Sequence, residues 1–220
     1  MAEGCAMTER DVEKGKERGL LVVLEGLPGS GKTSVGQLLS SYGWKFYPEV
    51  ATTLAAKGLP VGDAGTTETD LRIFKEEIRR MREISADLAK GVDVVLDGYF
   101  PTDLSFAYSR SQQGKSSCYI SLLEKYLQAT RRGLLLKPDL YIYLDINTDI
   151  SVSRQEERHA PHLKTIDKKT LADVERHLKF THEIFENDVP LVTVDATRSS
   201  GEVFQDVVKE VKKLARKKTG

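Results

Sequence analysis

Eight consecutive residues, Gly26-Leu27-Pro28-Gly29-Ser30-Gly31-Lys32-Thr33, match the phosphate-binding pattern Gly-x-x-x-x-Gly-Lys-Ser/Thr. The chemistry follows from the residue types. Glycines let backbone N–H groups turn inward around a polyphosphate, and a helix starting at about Lys32 aims its positive end at the same anion. Lys32 would reach the β- and γ-phosphates, and the Thr33 hydroxyl would hold Mg2+. With Ser34 in the first helical turn, residues 26 to 34 are expected to bind a nucleoside triphosphate. The competing reading is a glycine-rich turn with no ligand. The flanks argue against it, because the apolar run Leu20-Leu21-Val22-Val23-Leu24 leads in and an amphipathic segment leads out.

Phosphoryl transfer also needs charge neutralisation on the moving group, in-line placement of the acceptor and sometimes a base. Asp97 closes the apolar run Val94-Val95-Leu96, where a carboxylate can position Mg2+ directly or through water. Capping the next turn is its alternative role. Glu49, after Tyr47-Pro48, stands where it could take a hydroxyl proton or serve as an N-cap partner. Asp145 ends another apolar run and reads as structural. Arg154 and Arg158 are four residues apart, so they share a helix face and could close over a triphosphate, with Lys164 assisting. Glu156 and Glu157 leave a salt-bridged surface helix open as the other reading. Tyr99 and Phe100 could stack on a base or pack in the core. His159 and His162 lack a third metal ligand, and with His177 and His182 they read as surface histidines.

These groups must be positioned by elements, and the apolar pattern supplies them. Strands are expected at Leu20–Glu25, Trp44–Glu49, Val92–Asp97, Leu140–Leu144 and Leu191–Val194. Helices are expected over residues 32–42, 51–57, 71–88, 102–112, 117–131, 148–158, 167–186 and 201–217, with a Gly- and Pro-containing loop over 58–67. Alternating strands and helices imply right-handed crossovers, a parallel sheet and an α/β three-layer sandwich. Ligands of such sheets bind beyond the strand C-termini. Glu25-Gly26, Glu49, Asp97 and Asp145 all fall there, so the acids and the phosphate loop should share one rim.

Composition narrows the classes. Lys plus Arg and Asp plus Glu number 33 each, so no bulk positive field draws the chain to nucleic acid or membrane. The lysines of the last helix complement its dipole and read as a solvated face. Two cysteines, Cys5 and Cys118, cannot build a disulfide framework or a metal knuckle. No apolar stretch approaches the roughly 20 residues of a membrane span, and residues 1–18 lack a signal-peptide core. A cytosolic chain is expected, with a flexible tail over 1–18 and one domain over 19–218.

Four segments resemble the P-loop kinases of the thymidylate kinase and deoxynucleoside kinase group. They are Leu24 to Thr33, Tyr47-Pro48-Glu49-Val50, Val95-Leu96-Asp97-Gly98-Tyr99 with Ser105-Phe106-Ala107-Tyr108, and Pro138 to Asp145 followed by Arg154 and Arg158. The resemblance covers residues 20–196. It implies a five-stranded parallel sheet, a helical lid over about 150–165, ATP with Mg2+, and a nucleoside or nucleotide acceptor such as dTMP. Relatives of this kind often pair through helices, so a homodimer is among its expectations. On it, Lys32, Glu49, Asp97, Arg154 and Arg158 are the catalytic candidates, and Glu49, Arg79, Arg82, Tyr99 and Phe100 the acceptor-binding ones.

Two departures bear on the acceptor. Thymidylate kinases normally carry an arginine after the acid equated with Asp97, where Gly98 stands here. They carry another on the helix before the third strand, at the register of Glu77, with Arg79, Arg80 and Arg82 following. A monophosphate is ordinarily held by guanidinium groups, so a nucleoside acceptor with Glu49 as base stays open. So does a regulatory module that binds ATP without turnover, and a small acceptor outside the nucleosides. A GTPase-type switch lacks its Asp-x-x-Gly and Asn-Lys-x-Asp segments.

Overall fold

The three central strands of the sheet are short apolar runs whose alternate side chains enter different cores, which forces helices onto both faces. In strand β1 (Leu21–Glu25), Leu21 and Val23 join one cluster while Val22 and Leu24 join the other. The computed structural model describes residues 18–157, 164–185 and 187–218. Five parallel strands lie in the order β2-β3-β1-β4-β5, with β2 at Lys45–Tyr47, β3 at Val94–Asp97, β4 at Leu140–Asp145 and β5 at Leu191–Asp195. The expected α/β three-layer sandwich is what forms.

Register sets the rim. Leu24 stands opposite Asp97 on β3, and Glu25 stands opposite Tyr143 on β4. The central strand therefore delivers the phosphate loop directly beside Asp97. Helix α1 (Lys32–Ser40) leaves that loop, and α2 (Val50–Ala55) follows β2. A single 3-10 turn (Gly62–Ala64) interrupts the loop expected over 58–67.

The face formed by Leu21, Val23, Val94 and Leu96 is covered by α3 (Thr67–Ala89), α4 (Phe100–Gln112) and α5 (Tyr119–Arg131). The opposite face is covered by α1, by the start of α7 (Lys168–Phe185) and by α8 (Ser200–Lys218). Helix α6 (Thr148–Glu156) lies beside the phosphate loop, its first turn capped by Asn147 accepting from the Ile150 N–H.

Helix starts differ from expectation where polar residues do the capping. α3 begins at Thr67 rather than 71, because Thr66 and Thr69 form a reciprocal capping box ahead of the apolar stripe. α4 begins at Phe100, two residues early, with Pro101 in its first turn where a missing N–H costs nothing. Among the described residues no helix is long and apolar enough to cross a membrane. Cys5, Arg158, His159, His162 and most of the expected tail lie outside the described residues.

Candidate active site

The phosphate loop requires glycine at its first position for a steric reason. Gly26 has φ +136°, and a Cβ there would lie 2.4 Å from the Leu144 carbonyl oxygen of β4. Leu27 is fully buried and anchors the loop in the core. Gly31 has φ +100° with nothing within 4 Å of its would-be Cβ, so the mouth of the loop is open. Ser30 Oγ is buried without a partner among the described residues. An open mouth and a helix N-terminus together suit a polyphosphate. Lys32 folds over the loop, its Nζ donating to the carbonyls of Gly26 (2.8 Å) and Leu27 (3.3 Å).

Helix α6 braces the loop from behind. Ser151 Oγ donates to the Pro28 carbonyl at 2.6 Å. Arg154 Nη1 donates to the carbonyls of Gly29 (3.2 Å) and Ala196 (2.9 Å), and Nη2 to that of Thr197 at 3.3 Å. The guanidinium of Arg154 therefore sits against the loop, tying it to the end of β5.

In front of the loop lies a cavity of about 380 Å³. Lys32, Thr33, Glu49 and Asp97 line it, together with Asp103, Phe106 and Arg110 of α4. Thr33 Oγ1 donates to Asp97 Oδ2 at 2.5 Å, while Asp97 Oδ1 is buried with no partner among the described residues. A hydroxyl beside a carboxylate oxygen left without a hydrogen bond is a donor set that suits Mg2+, a hard cation. Among the described residues no cluster of three or more His, Cys, Asp or Glu could hold a metal alone. An ion at Thr33 and Asp97 would complete its shell with phosphate oxygens and water, as Mg2+ ordinarily does.

Glu49 occupies the N-cap position of α2 but makes no side-chain cap bond, and its carboxyl lines the cavity. Burial first, then the Asp97 charge, raises its pKa, opposed by Lys32 and Arg80. Asp103 is raised well above the usual carboxylate range, by burial and then by Glu77. Its Oδ2 accepts from Tyr126 Oη at 3.0 Å. Crowded, desolvated carboxyls facing one cavity make this the electrostatically perturbed part of the molecule.

Several expectations are corrected. Tyr99 and Phe100 do not reach the cavity: both are buried, Tyr99 donating to the Leu136 carbonyl and Phe100 packing on Tyr99, Tyr126 and Phe185. Arg79 and Arg82 are exposed, and Arg79 is held by Glu76 and Glu83. On a helix, residues three and four apart share a face, so α3 turns Ile73, Glu77 and Arg80 inward and Arg79 and Arg82 outward. Asp145, read from the sequence as structural, is exposed at the end of β4 and does not line the cavity, in keeping with that reading. His177 is buried rather than superficial. Asp103, Arg110, Asp70, Arg80 and Glu77 were not singled out as site residues. The signal was present for two of them, since Asp103, Phe106 and Arg110 recur at helical spacing on one stripe.

Comparison with known proteins supports the same reading. A family model described as "AAA domain" matches residues 21–177. The thymidylate kinase of Plasmodium falciparum is 26% identical over 211 residues, spanning 90% of this chain and 92% of its own. That of Colwellia psychrerythraea is 28% identical over 212 residues, spanning 88% and 94%. A deoxyadenosine kinase from M. mycoides, solved with dCMP and a flexible dCDP bound, shares the fold at a TM-score of 0.67 and 14% identity, over 88% of this chain and 100% of that one. The matched stretch runs from the first strand into α7 and so contains every residue lining the cavity, and the chain belongs to the AAA domain family as a thymidylate kinase-like P-loop protein.

Proposed function

We infer that this phosphotransferase moves the terminal phosphoryl group of ATP, with Mg2+, onto a small nucleoside or nucleotide held in the cavity. The observation that carries this reading is the convergence of Lys32, Thr33, Asp97 and Glu49 on one space. Lys32 would exchange the loop carbonyls for β- and γ-phosphate oxygens and stabilise the charge that develops on them. Thr33 Oγ1 and Asp97 would hold the metal, which when bound neutralises charge on the same oxygens. Arg154 keeps the loop in shape through its carbonyls. Glu49 orients the acceptor and, where the acceptor is a hydroxyl, takes its proton; burial and the neighbouring Asp97 charge raise its pKa, which makes its carboxylate a stronger base.

The names of the sequence relatives favour dTMP as acceptor, and the Glu49 carboxyl favours a hydroxyl. Calorimetry with ATP and Mg2+, followed by ADP release in the presence of pooled thymidine and dTMP, tests the reaction. Lys32→Ala should lower kcat by roughly 10²- to 10³-fold, the usual cost of one donor to a developing oxyanion, while circular dichroism stays native. Absence of ATP uptake by folded wild-type protein would overturn the reading.

A further inference from the structure

Among the stretches of chain that wall the cavity are the phosphate loop, the 3-10 turn region with Val61 and Gly62, and the pair Lys164-Thr165. A continuous run of hydrogen bonds joins the three. It begins at the Pro28 carbonyl of the phosphate loop, which accepts from Ser151 Oγ at 2.6 Å. Ser151 Oγ in turn accepts from Gln155 Nε2 at 3.2 Å. Gln155, one helical turn further along α6 and 3% exposed, also uses both ends of its amide on a single residue. Its Nε2 donates to the Thr165 carbonyl at 2.8 Å, and its Oε1 accepts from the Thr165 N–H at 2.9 Å.

The run then passes from residues 164–167 to the turn. The Asp63 N–H donates to the Lys164 carbonyl at 3.2 Å. Asp63 Oδ2 accepts from the N–H groups of Ile166 at 2.8 Å and Asp167 at 3.3 Å. Gly62 makes this contact possible, since its φ is +59° and a Cβ there would stand 2.3 Å from the Lys164 carbonyl oxygen. On its other side the turn is tied to α3, where Thr69 Oγ1 donates to the Pro60 carbonyl at 2.8 Å.

Buried polar groups need partners in any fold, so satisfaction alone assigns no role. The specific feature is what Gln155 joins. An amide paired with both main-chain groups of Thr165 fixes that residue in place and in orientation, while the same nitrogen holds the serine that touches the phosphate loop. Linked hydrogen bonds polarise one another and respond together. When a triphosphate enters, Lys32 gives up the Gly26 and Leu27 carbonyls, which releases the backbone immediately before Pro28.

We propose that Gln155 is a positioning residue that transmits triphosphate occupancy to the cavity wall at residues 61–64, through Thr165 and Asp63. The proposal rests on the phosphoryl-transfer reading above in one respect, that a nucleoside triphosphate occupies the phosphate loop. The wall against which an acceptor is held is then set by the phosphate donor. Such coupling is reciprocal, so an acceptor that orders the turn also tightens the hold on the triphosphate.

The test is amide hydrogen exchange on the full chain, with and without the non-hydrolysable β,γ-imido analogue of ATP and Mg2+, at saturation established by calorimetry. In wild type, binding should slow exchange at residues 61–66 roughly fivefold or more, the lower end of ordinary coupling between sites. Gln155→Met keeps the volume and removes the hydrogen bonds, and Asp63→Ala breaks the same run further on. In both, the slowing at 61–66 should disappear while that at residues 26–34 persists. The double variant should lose no more than either single one, because both interrupt one path. Asp63→Ala carries the test if Gln155→Met does not fold. Wild-type slowing retained in a folded variant overturns the proposal, as does wild-type exchange at 61–66 that ignores the nucleotide, and both results leave triphosphate binding intact. Absence of nucleotide binding removes both readings.

Discussion

Glu25 is the last residue of β1, directly before Gly26, and its carboxyl is almost sealed from solvent. It accepts from the Tyr99 N–H at 3.2 Å and from Thr102 Oγ1, joining the phosphate loop to the start of α4. Burial raises its pKa from 4.5 to about 8, against the lowering effects of Thr102, Lys32 and Tyr99. The folded state thus favours the neutral acid. That contribution is complete below the unfolded pKa of 4.5 and is lost as the pH rises through about 8. Glu25→Gln should therefore gain stability relative to wild type between pH 5 and pH 9. The check is the difference in Tm at the two pH values, and a difference independent of pH would refute the assignment. The residue was legible in the sequence only as a strand end beside the loop. Its burial depends on Thr102 and Tyr99, more than seventy positions away.

Helices α3 and α4 meet through Asp70 and Arg110, an ion pair with side chains 0% and 5% exposed. Ser116 Oγ adds a second donor to Asp70 at 2.7 Å. Removing one partner strands a charge in the interior, which typically costs about 3–5 kcal/mol, whereas an apolar pair of similar volume can be neutral. Asp70→Ala should accordingly destabilise the protein by about 3–5 kcal/mol in urea unfolding, and Asp70→Leu with Arg110→Met by distinctly less. Equal losses in the single and double variants would argue against a charge effect. The apolar stripes marked both helices, because burial of one face imposes the 3.6-residue period. They did not reveal which polar residues join that face. An inward Asp70, Glu77 or Arg80 looks in sequence like the outward Arg79 and Arg82, and only the phase of the packed helix separates them.

At the scale of the molecule, His177 joins three helices, α4, α5 and its own α7. Its Nε2 lies 2.6 Å from Tyr119 Oη on α5, and its Nδ1 lies 3.2 Å from Ser105 Oγ on α4 and 3.0 Å from Thr181 Oγ1 on α7. Tyr108 stacks on the ring at 4.5 Å. Burial lowers its pKa from 6.5 to about 4. The neutral ring is the one the fold accommodates, so its contribution is present above pH 6.5 and is lost as the pH falls toward 4. Wild type should lose more Tm between pH 7 and pH 4.5 than His177→Gln does. Parallel pH profiles of the two proteins would place the acid sensitivity elsewhere.

The sequence by itself determined the phosphate loop, the five strands and the order of strands and helices, because each is a local property. A phosphate cradle needs its glycines and lysine at fixed spacing, and a buried parallel strand must be apolar on both faces. It also put Glu49 and Asp97 at strand ends, which a parallel sheet gathers on one rim. The partners of those acids came only from tertiary packing: Thr33 against Asp97, Arg80 locked by Glu77 and the Pro48 and Gly98 carbonyls, and Arg110 taken by Asp70. Electrostatic pairing depends on distance in space and on the loss of water, and neither is written in the order of residues along the chain.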